Sequence, residues 1–261
     1  MRALLLPLAT ILLGVLCCSG CGTPTAGSTN PTVRDEDLII VDLSTSLTKE
    51  QRLSIPALVK EFVLQQAQDA DVTVYPLVSD MGHSELLVPS LQPPTTGRRV
   101  DVVAWQNFVQ GTWAPQLEAS VKKSLDLPKP AQGRIYTSCY IASAVFASQY
   151  FSSVSNASRP RLLWVGDLIE DCPLPEFRQY RLPNKGSVNK VRSLSLGLKS
   201  LSSVEVIGAI LPRDPMAGPS DVSEIMTKDY WNALAPGLGM TPKLVNIGPA
   251  GAALRPAQPT H

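Results

Sequence analysis

Three polar residues at alternate positions, Asp42, Ser44 and Ser46, directly follow an apolar run and have the chemistry of a cation site. Their carboxylate and hydroxyl oxygens are the hard ligands that Mg²⁺ and Mn²⁺ prefer. The same residue types also commonly cap backbone amides at a strand-to-helix turn. The pattern therefore predicts either a metal-binding loop or a capped turn.

The run before these residues, Leu38 to Val41, is short, unbroken and rich in β-branched residues. Such a run is typical of a strand that is buried on both faces of a parallel sheet. In open α/β sheets, ligands bind at the carboxyl ends of the strands. The three polar residues therefore follow a central strand at the end where a binding site is expected.

The Asp-x-Ser-x-Ser pattern after a buried strand resembles the first segment of the metal-ion-dependent adhesion site of von Willebrand factor type A domains. That site has two further segments, a threonine on a second loop and an aspartate after a later central strand. The candidates are Thr137, in IYTSCYIASAV, and Asp167, after the apolar run 162–166. Ser138 is an alternative to Thr137, because sequence does not determine the loop register. The family usually has Asp-Gly in the last segment, whereas here Gly166 precedes Asp167.

The resemblance implies an α/β fold of the doubly wound, Rossmann-like type, with a mostly parallel central sheet and helices on both faces. It also implies that the hydroxyls of Ser44, Ser46 and Thr137 bind Mg²⁺ or Mn²⁺. Asp42 and Asp167 would hold metal-bound waters or bind the ion directly. An acidic side chain of a protein partner would complete the shell, so the implied function is metal-dependent protein binding.

The first 21 residues have the pattern of an export signal. One early cation, Arg2, precedes an apolar run from Ala3 to Cys18 that is short for a membrane span, and small residues then lead to Cys21. This end resembles the lipobox of bacterial lipoproteins, although Cys18 stands where leucine is preferred. The resemblance implies lipidation of Cys21 and anchoring in the cell envelope, facing the periplasm or the exterior. An ordinary secretory signal and an uncleaved anchor are the alternatives.

Composition predicts one folded domain behind a tether. Residues 22–36 are rich in Gly, Thr, Ser, Pro and Asn and are expected to be flexible, residues 37–250 can form one well-buried core, and residues 251–261 are expected to be disordered. The net charge of +1 and the pI near 7.6 do not favour nucleic acid as a partner.

Strands and helices alternate in the 37–250 region, which predicts a parallel sheet covered on both faces. Thr48 and Gln51 predict a capping box, and Pro56 predicts that the regular helix is confined to the residues that follow it. Trp105 and Trp113 are expected in the core. Further elements are expected as strands over 71–78, 84–91, 161–167, 203–211 and 243–247. Helices are expected over 101–125 with a break near 111–115, over 142–151 after the Thr137 loop, over 191–201 and over 220–234.

After the signal and the lipidated cysteine are set aside, two cysteines remain, Cys139 and Cys172. Each lies a few residues beyond a candidate metal ligand, so the implied fold brings their loops to the same face. In an oxidising compartment they can form a disulfide that braces the site. Two free buried thiols are the alternative.

Other chemistry is sparse in this sequence. It has two histidines, no Gly-x-Ser-x-Gly elbow and no P-loop, so a histidine triad, a zinc cluster and a nucleotide site have little support. Glu170 and Asp171 lie close to Asp167 and are candidates for extra metal ligands or a general base. A metal-dependent hydrolase is therefore the alternative function, and a metal-free structural surface lipoprotein is a third.

Overall fold

A computed structural model describes residues 34–68, 70–96, 99–126, 136–154, 159–180, 196, 198–211 and 224–247. The predicted signal with Cys21, nearly all of the tether, most of the helix expected over 191–201 and the tail 251–261 lie outside the described residues. No helix in the described ranges is both long and apolar enough to cross a membrane.

The described residues contain seven strands in two sheets. They are β1 (Asp35–Val41), β2 (Ala70–Pro76), β3 (Thr95–Thr96), β4 (Arg99–Val100), β5 (Pro160–Gly166), β6 (Glu205–Ile210) and β7 (Pro242–Asn246). Five of them form one all-parallel sheet in the order β2-β1-β5-β6-β7, and β3 pairs with β4 in a separate antiparallel ribbon. The predicted parallel sheet is confirmed, with β1 and β5 at its centre.

Helices cover both faces of this sheet. The described α-helices are α1 (Lys49–Gln66), α2 (Val102–Phe108), α3 (Ala114–Asp126), α4 (Tyr140–Ser153) and α5 (Glu224–Leu234), and a π-helical segment (Val109–Trp113) lies between α2 and α3. The described 3₁₀ helices are Met81–His83, Pro175–Tyr180, Lys199–Ser203 and Ala235–Leu238. Because side chains of a strand alternate between faces, Ile39 and Val41 of β1 pack with α1, the π-helical segment and α3, whereas Leu38 and Ile40 pack with α4 and α5. The doubly wound α/β class is confirmed.

Helix α1 begins at the predicted capping box and is already regular before its proline. The Gln51 amide donates to Thr48 Oγ1 and the Thr48 amide donates to Gln51 Oε1, at 3.1 and 2.7 Å. Pro56 lies inside the helix, so the prediction that the regular helix follows Pro56 is wrong. A proline inside a helix costs about 3 kcal/mol, but Ile55 and Leu58 on either side of it are buried, and each such side chain contributes about 1.5–3 kcal/mol.

The interruption predicted near 111–115 is a π-helical segment rather than a gap. It joins α2 to α3 and absorbs the irregularity within a continuous helical stretch. Trp105 and Trp113 are buried, as predicted, and the Trp113 indole donates to the Pro89 carbonyl at 3.1 Å.

One predicted strand and one predicted boundary differ from the structure. The strand expected over 84–91 is absent from that described range, where Leu91 forms only an isolated antiparallel bridge with Val72 of the edge strand β2. Pro89 interrupts this run and has no amide hydrogen to donate to a ladder. The boundary that differs is the start of the domain. Strand β1 begins at Asp35, two residues before the predicted start, because cross-strand pairing with β2 begins there.

Candidate metal centre

The sheet brings two of the predicted site residues to the point where its strand order reverses. Asp42 follows β1 and Asp167 follows β5, the neighbouring strand, and the Asp42 amide donates to the Val165 carbonyl at 2.8 Å. The connections from β1 and β5 run in opposite directions along the sheet. In doubly wound folds, the crevice outside the strand ends at such a reversal is where ligands bind.

Three serine hydroxyls and one carboxylate form a continuous chain of contacts there. Ser44 Oγ lies 2.7 Å from Ser46 Oγ and 3.2 Å from Ser138 Oγ, which lies 3.2 Å from Asp42 Oδ2. Adjacent oxygens around an octahedral ion with bonds of about 2.0–2.1 Å are about 2.9 Å apart. These oxygens are hard ligands at a suitable mutual spacing, so the donor set fits Mg²⁺ or Mn²⁺.

Asp42 also performs the capping role that was the alternative interpretation of the sequence. Its Oδ1 accepts the Ser44 amide at 2.7 Å, which holds the turn after β1. Its Oδ2 accepts from Ser138 and from the Tyr140 hydroxyl. One carboxylate thus shapes the loop and contacts the hydroxyls.

The second loop presents Ser138, rather than Thr137, to the other hydroxyls. The Thr137 hydroxyl donates to Cys139 Sγ at 3.1 Å and is half-buried, whereas Ser138 is buried and contacts both Asp42 and Ser44. Of the sequence candidates, the structure therefore brings together Asp42, Ser44, Ser46 and the alternative Ser138. Thr137 does not join this chain of contacts.

Tyr140, which sequence reasoning missed, links the Asp42 carboxylate to the segment that follows Asp167. Its hydroxyl donates to Asp42 Oδ2 at 2.9 Å and accepts the Leu168 amide at 3.2 Å. Burial, followed by the negative charges of Asp42 and Asp167, raises the pKa of Tyr140 well above its ordinary value. The available signal was its position two residues after Ser138, at the start of the helix that the loop opens.

Asp167 is buried and its Oδ1 accepts the Ile169 amide at 3.0 Å. The residue before it must be glycine, because a Cβ on Gly166 would lie 2.1 Å from the Tyr140 hydroxyl and 2.6 Å from Asp42 Cβ. Close approach of α4 to the sheet thus explains why this chain has glycine before its aspartate.

The charge of Asp42 has no ionic partner in the described part of the chain. Asp42 is fully buried, and burial raises its pKa by more than the hydrogen bonds from Ser44, Tyr140 and Ser138 lower it. None of the ion pairs among the described residues includes Asp42. Those residues also hold no group of three or more His, Cys, Asp or Glu that could bind a metal, so an ion here would depend on the hydroxyls.

Glu170 and Asp171 lie beside the second loop. Glu170 is fully buried, and its Oε2 accepts the Ile141 amide at 2.8 Å in the first turn of α4. Burial raises the pKa of Glu170 to about 8, although backbone amides of Ile141, Tyr140 and Cys172 oppose the rise. The Asp171 amide donates to the Ser138 carbonyl at 3.0 Å. Both residues therefore hold the start of α4 and its loop in place.

A disulfide joins the two loops. Cys139 Sγ and Cys172 Sγ are 2.09 Å apart, and Ala142, Leu174 and Phe177 pack around them. The bridge links the residue after Ser138 to the segment that begins at Asp167. Of the two states that the sequence allowed for these cysteines, the structure has the disulfide rather than two free thiols.

Fold and site together define a doubly wound α/β domain with a hydroxyl-rich site at its topological switch point. No protein-family model matches the chain, and neither does any curated protein.

Solved structures match at 11% identity. The manganese-loaded TRAP protein of Plasmodium vivax has a TM-score of 0.34, with 67% of this chain and 57% of that chain covered. The N-terminal domain of TFIIH p34 has a TM-score of 0.32, with 68% of this chain and 81% of that chain covered. The D319A mutant of the PilB minor pilin from Streptococcus sanguinis has a TM-score of 0.39, with 84% of this chain and 58% of that chain covered. This chain thus spans less than two thirds of the TRAP and PilB chains. At these scores, the fold class rests on the sheet order and helix placement described above.

Proposed function

We propose that this protein is an exported, lipid-anchored domain of the von Willebrand type A kind that binds a protein partner through Mg²⁺ or Mn²⁺. The observation that carries the proposal is the contact chain of Ser44, Ser46, Ser138 and Asp42 at the switch point. The three hydroxyls would bind the ion. Asp42 and Asp167 would hold metal-bound waters or bind the ion directly.

The charge of the site favours binding over hydrolysis. With the carboxylates of Asp42 and Asp167 as the nearby charges of the proposed ligand set, a divalent ion keeps enough positive character to attract an external carboxylate. An aspartate or glutamate of the partner is therefore the expected final ligand.

The alternative, a metal-dependent hydrolase, needs a base that can reach a metal-bound water. Glu170 has a suitable pKa of about 8, which is the observation in its favour. However, Glu170 is fully buried and accepts the Ile141 amide, which supports a capping role at α4. Protein binding is the better-supported function.

The anchor is part of the proposal and rests on the sequence. The pattern from Arg2 to Cys21 supports export and acylation of Cys21, which would place the domain at a membrane surface in the cell envelope. Mass analysis of the protein isolated from its native membrane tests this directly, because a diacylated or triacylated amino-terminal Cys21 is the expected product. An unmodified chain that still begins at Met1 would contradict it.

The ion site is tested by calorimetric titration of Mg²⁺ and Mn²⁺ into the full chain. The parent is expected to bind one ion, and the double variant Ser44→Ala, Ser46→Ala to bind none. Ser54→Ala, Ser152→Ala is the matched control, since these two exposed serines hydrogen-bond only to nearby helix carbonyls. Equal heats from the parent and from Ser44→Ala, Ser46→Ala would overturn the metal site.

The partner is tested in the ion-loaded state. Capture of a defined partner is expected to disappear with EDTA and in Asp42→Ala, and to return when Mg²⁺ is restored to the parent. Capture that is unaltered in a folded Asp42→Ala protein would count decisively against ion-mediated binding. Ion binding without partner capture would keep the metal site and reject the adhesive function.

A further inference from the structure

A cavity of about 390 Å³ lies on the α4 face, lined by residues outside the hydroxyl chain. It opens to solvent and is bordered by the 3₁₀ turn Met81–His83, by α4 and by the 3₁₀ helix Pro175–Tyr180. Its apolar lining comes from Met81, Val145, Phe146, Leu174 and Phe177. The volume suits a small ligand or one large side chain.

The walls of the cavity are held in place by neighbouring structure. Phe146 packs edge-to-face on Tyr75 of β2, with the ring centroids 5.2 Å apart. Phe177 and Leu174 pack on the disulfide of Cys139 and Cys172. An aromatic contact thus supports one wall of the cavity, and a covalent bridge supports another.

Two carboxylates line the cavity, and one of them is paired with His83. Asp80 and Glu176 both line it, whereas the described lining residues include no lysine or arginine. A hydrogen bond from His83, 2.7 Å from Asp80 Oδ2, holds the pKa of Asp80 below its ordinary value, so this carboxylate stays charged. Aromatic faces also attract cations. Shape and charge therefore select an apolar body that carries a positive charge.

We propose that this cavity is a binding site for an organic cation with an aromatic or aliphatic body. Two sources share that chemistry: a free amine, and an arginine or lysine side chain next to a hydrophobic residue in a polypeptide. Binding here does not require an ion at Ser44, so the cavity and the metal centre can fail or succeed independently.

The test is an NMR titration of the ¹⁵N-labelled full chain with phenethylammonium, in the presence of EDTA. Amide shifts are expected at Gly82, Val145 and Gln149, which line the cavity. The neutral analogue 2-phenylethanol is expected to bind about two- to fivefold more weakly, as befits partly exposed charges. Equal affinity for the two probes, or shifts only elsewhere, would overturn the proposal.

Two variants locate the site. Val145→Trp fills the cavity and is expected to weaken phenethylammonium binding at least tenfold, whereas Val103→Trp, on the exposed surface of α2, is the matched control and should leave it unchanged. Glu176→Gln removes one negative charge from the lining and is expected to weaken phenethylammonium binding. Because this side chain is exposed, the variant still tests the site if Val145→Trp fails to fold. Unchanged binding in Glu176→Gln and in a folded Val145→Trp would overturn the site.

A second titration, with acetyl-Phe-Arg-amide, separates the two sources. Tighter binding of the peptide than of phenethylammonium would assign the cavity to a polypeptide side chain, and the reverse order would assign it to a free amine. Absence of binding by both probes at millimolar concentration would overturn the proposal.

Discussion

Carboxylates are buried at the amino-terminal ends of the parallel strands, the amino edge of the sheet, and at their carboxyl-terminal ends, the carboxyl edge. The two edges stabilise them in different ways. At the amino edge, Arg161 donates to both oxygens of Asp37, at 2.5 and 2.6 Å, and also to the Gln66 carbonyl at 2.7 Å. The same guanidinium lies 5.5 Å from the centre of the Phe62 ring. At the carboxyl edge, Asp42 and Glu170 have no ion-pair partner among the described residues and are held by hydroxyls and amides.

The amino edge also pairs its other polar groups internally. The Tyr150 hydroxyl donates to Glu36 and lies 3.2 Å from Thr73 Oγ1, while Arg34 pairs with Asp71 at 3.2 Å. Groups satisfied in this way have little remaining capacity for a ligand. The amino edge therefore compensates its buried carboxylates internally. At the carboxyl edge, burial raises the pKa of Asp42 and Glu170, and an external cation would favour their charged forms.

The largest expected effect lies at the amino edge. Arg161→Met removes the ion-pair partner of the buried Asp37, and a broken buried pair costs about 3–5 kcal/mol. Urea unfolding of the full chain measures the loss. Arg34→Met, which breaks a partly exposed pair, is the matched control with about 0–1 kcal/mol. Equal losses in the two variants would show that burial of the Arg161–Asp37 pair does not increase its contribution to stability.

The disulfide is the covalent brace of the carboxyl edge. Cys139→Ser, Cys172→Ser opens a link between residues 33 apart, which by loop entropy lowers the unfolding free energy by about 3–4 kcal/mol. Urea unfolding measures this change, and mass mapping of reduced and non-reduced digests identifies the bridge. Two free thiols in exported, oxidised protein would contradict the disulfide.

The pH dependence of stability is expected to come partly from the carboxyl edge. The pKa of Glu170 rises from 4.5 to about 8 on folding, so the folded state binds the extra proton between these values. The stability due to this proton is present at low pH and is lost as pH rises to about 8, at up to about 1.4 kcal/mol per pH unit. Glu170→Gln should remove this slope.

Chemical denaturation between pH 4.5 and 8 measures the slope in Glu170→Gln and in the parent. Glu118→Gln, an exposed change on α3, is the control that should keep the slope of the parent. Parallel pH profiles for the parent and Glu170→Gln would show that this carboxylate does not carry the dependence.

The smallest intrinsic effect is expected at the metal centre. In EDTA, Asp42→Asn should leave the unfolding free energy unchanged or raise it by up to about 1 kcal/mol, because burial raises the pKa of Asp42 and disfavours its charged form. With Mg²⁺ at one hundred times its dissociation constant, the parent should gain about 2.7 kcal/mol and the variant nothing.

Thermal unfolding with EDTA and with Mg²⁺ compares the two proteins. A loss above about 2 kcal/mol for Asp42→Asn in EDTA would place Asp42 with the stabilising carboxylates of the amino edge and remove the contrast. Equal stabilisation of the parent and the variant by Mg²⁺ would remove the ion from this site.

Local patterns predicted the central elements well. The apolar runs of β1 and β5 and the capping box of Thr48 depend on residues close in sequence, and all three are present in the structure. The prediction about Pro56 was wrong because burial of its helical neighbours, a tertiary effect, outweighs the local cost of proline.

At the site, sequence alone determined the residue types and the strand ends that carry them: Asp42, Ser44 and Ser46 after one central strand, and Asp167 after another. The packing of the folded chain selects Ser138, rather than Thr137, to contact Asp42, and it places the Tyr140 hydroxyl against Asp42 and the Leu168 amide. Which side chain of a loop faces inward depends on the start of α4, the Cys139–Cys172 bridge and the close approach at Gly166. Ser138 and Tyr140 lie 96 and 98 positions from Asp42 in the sequence, so no local pattern contains these contacts.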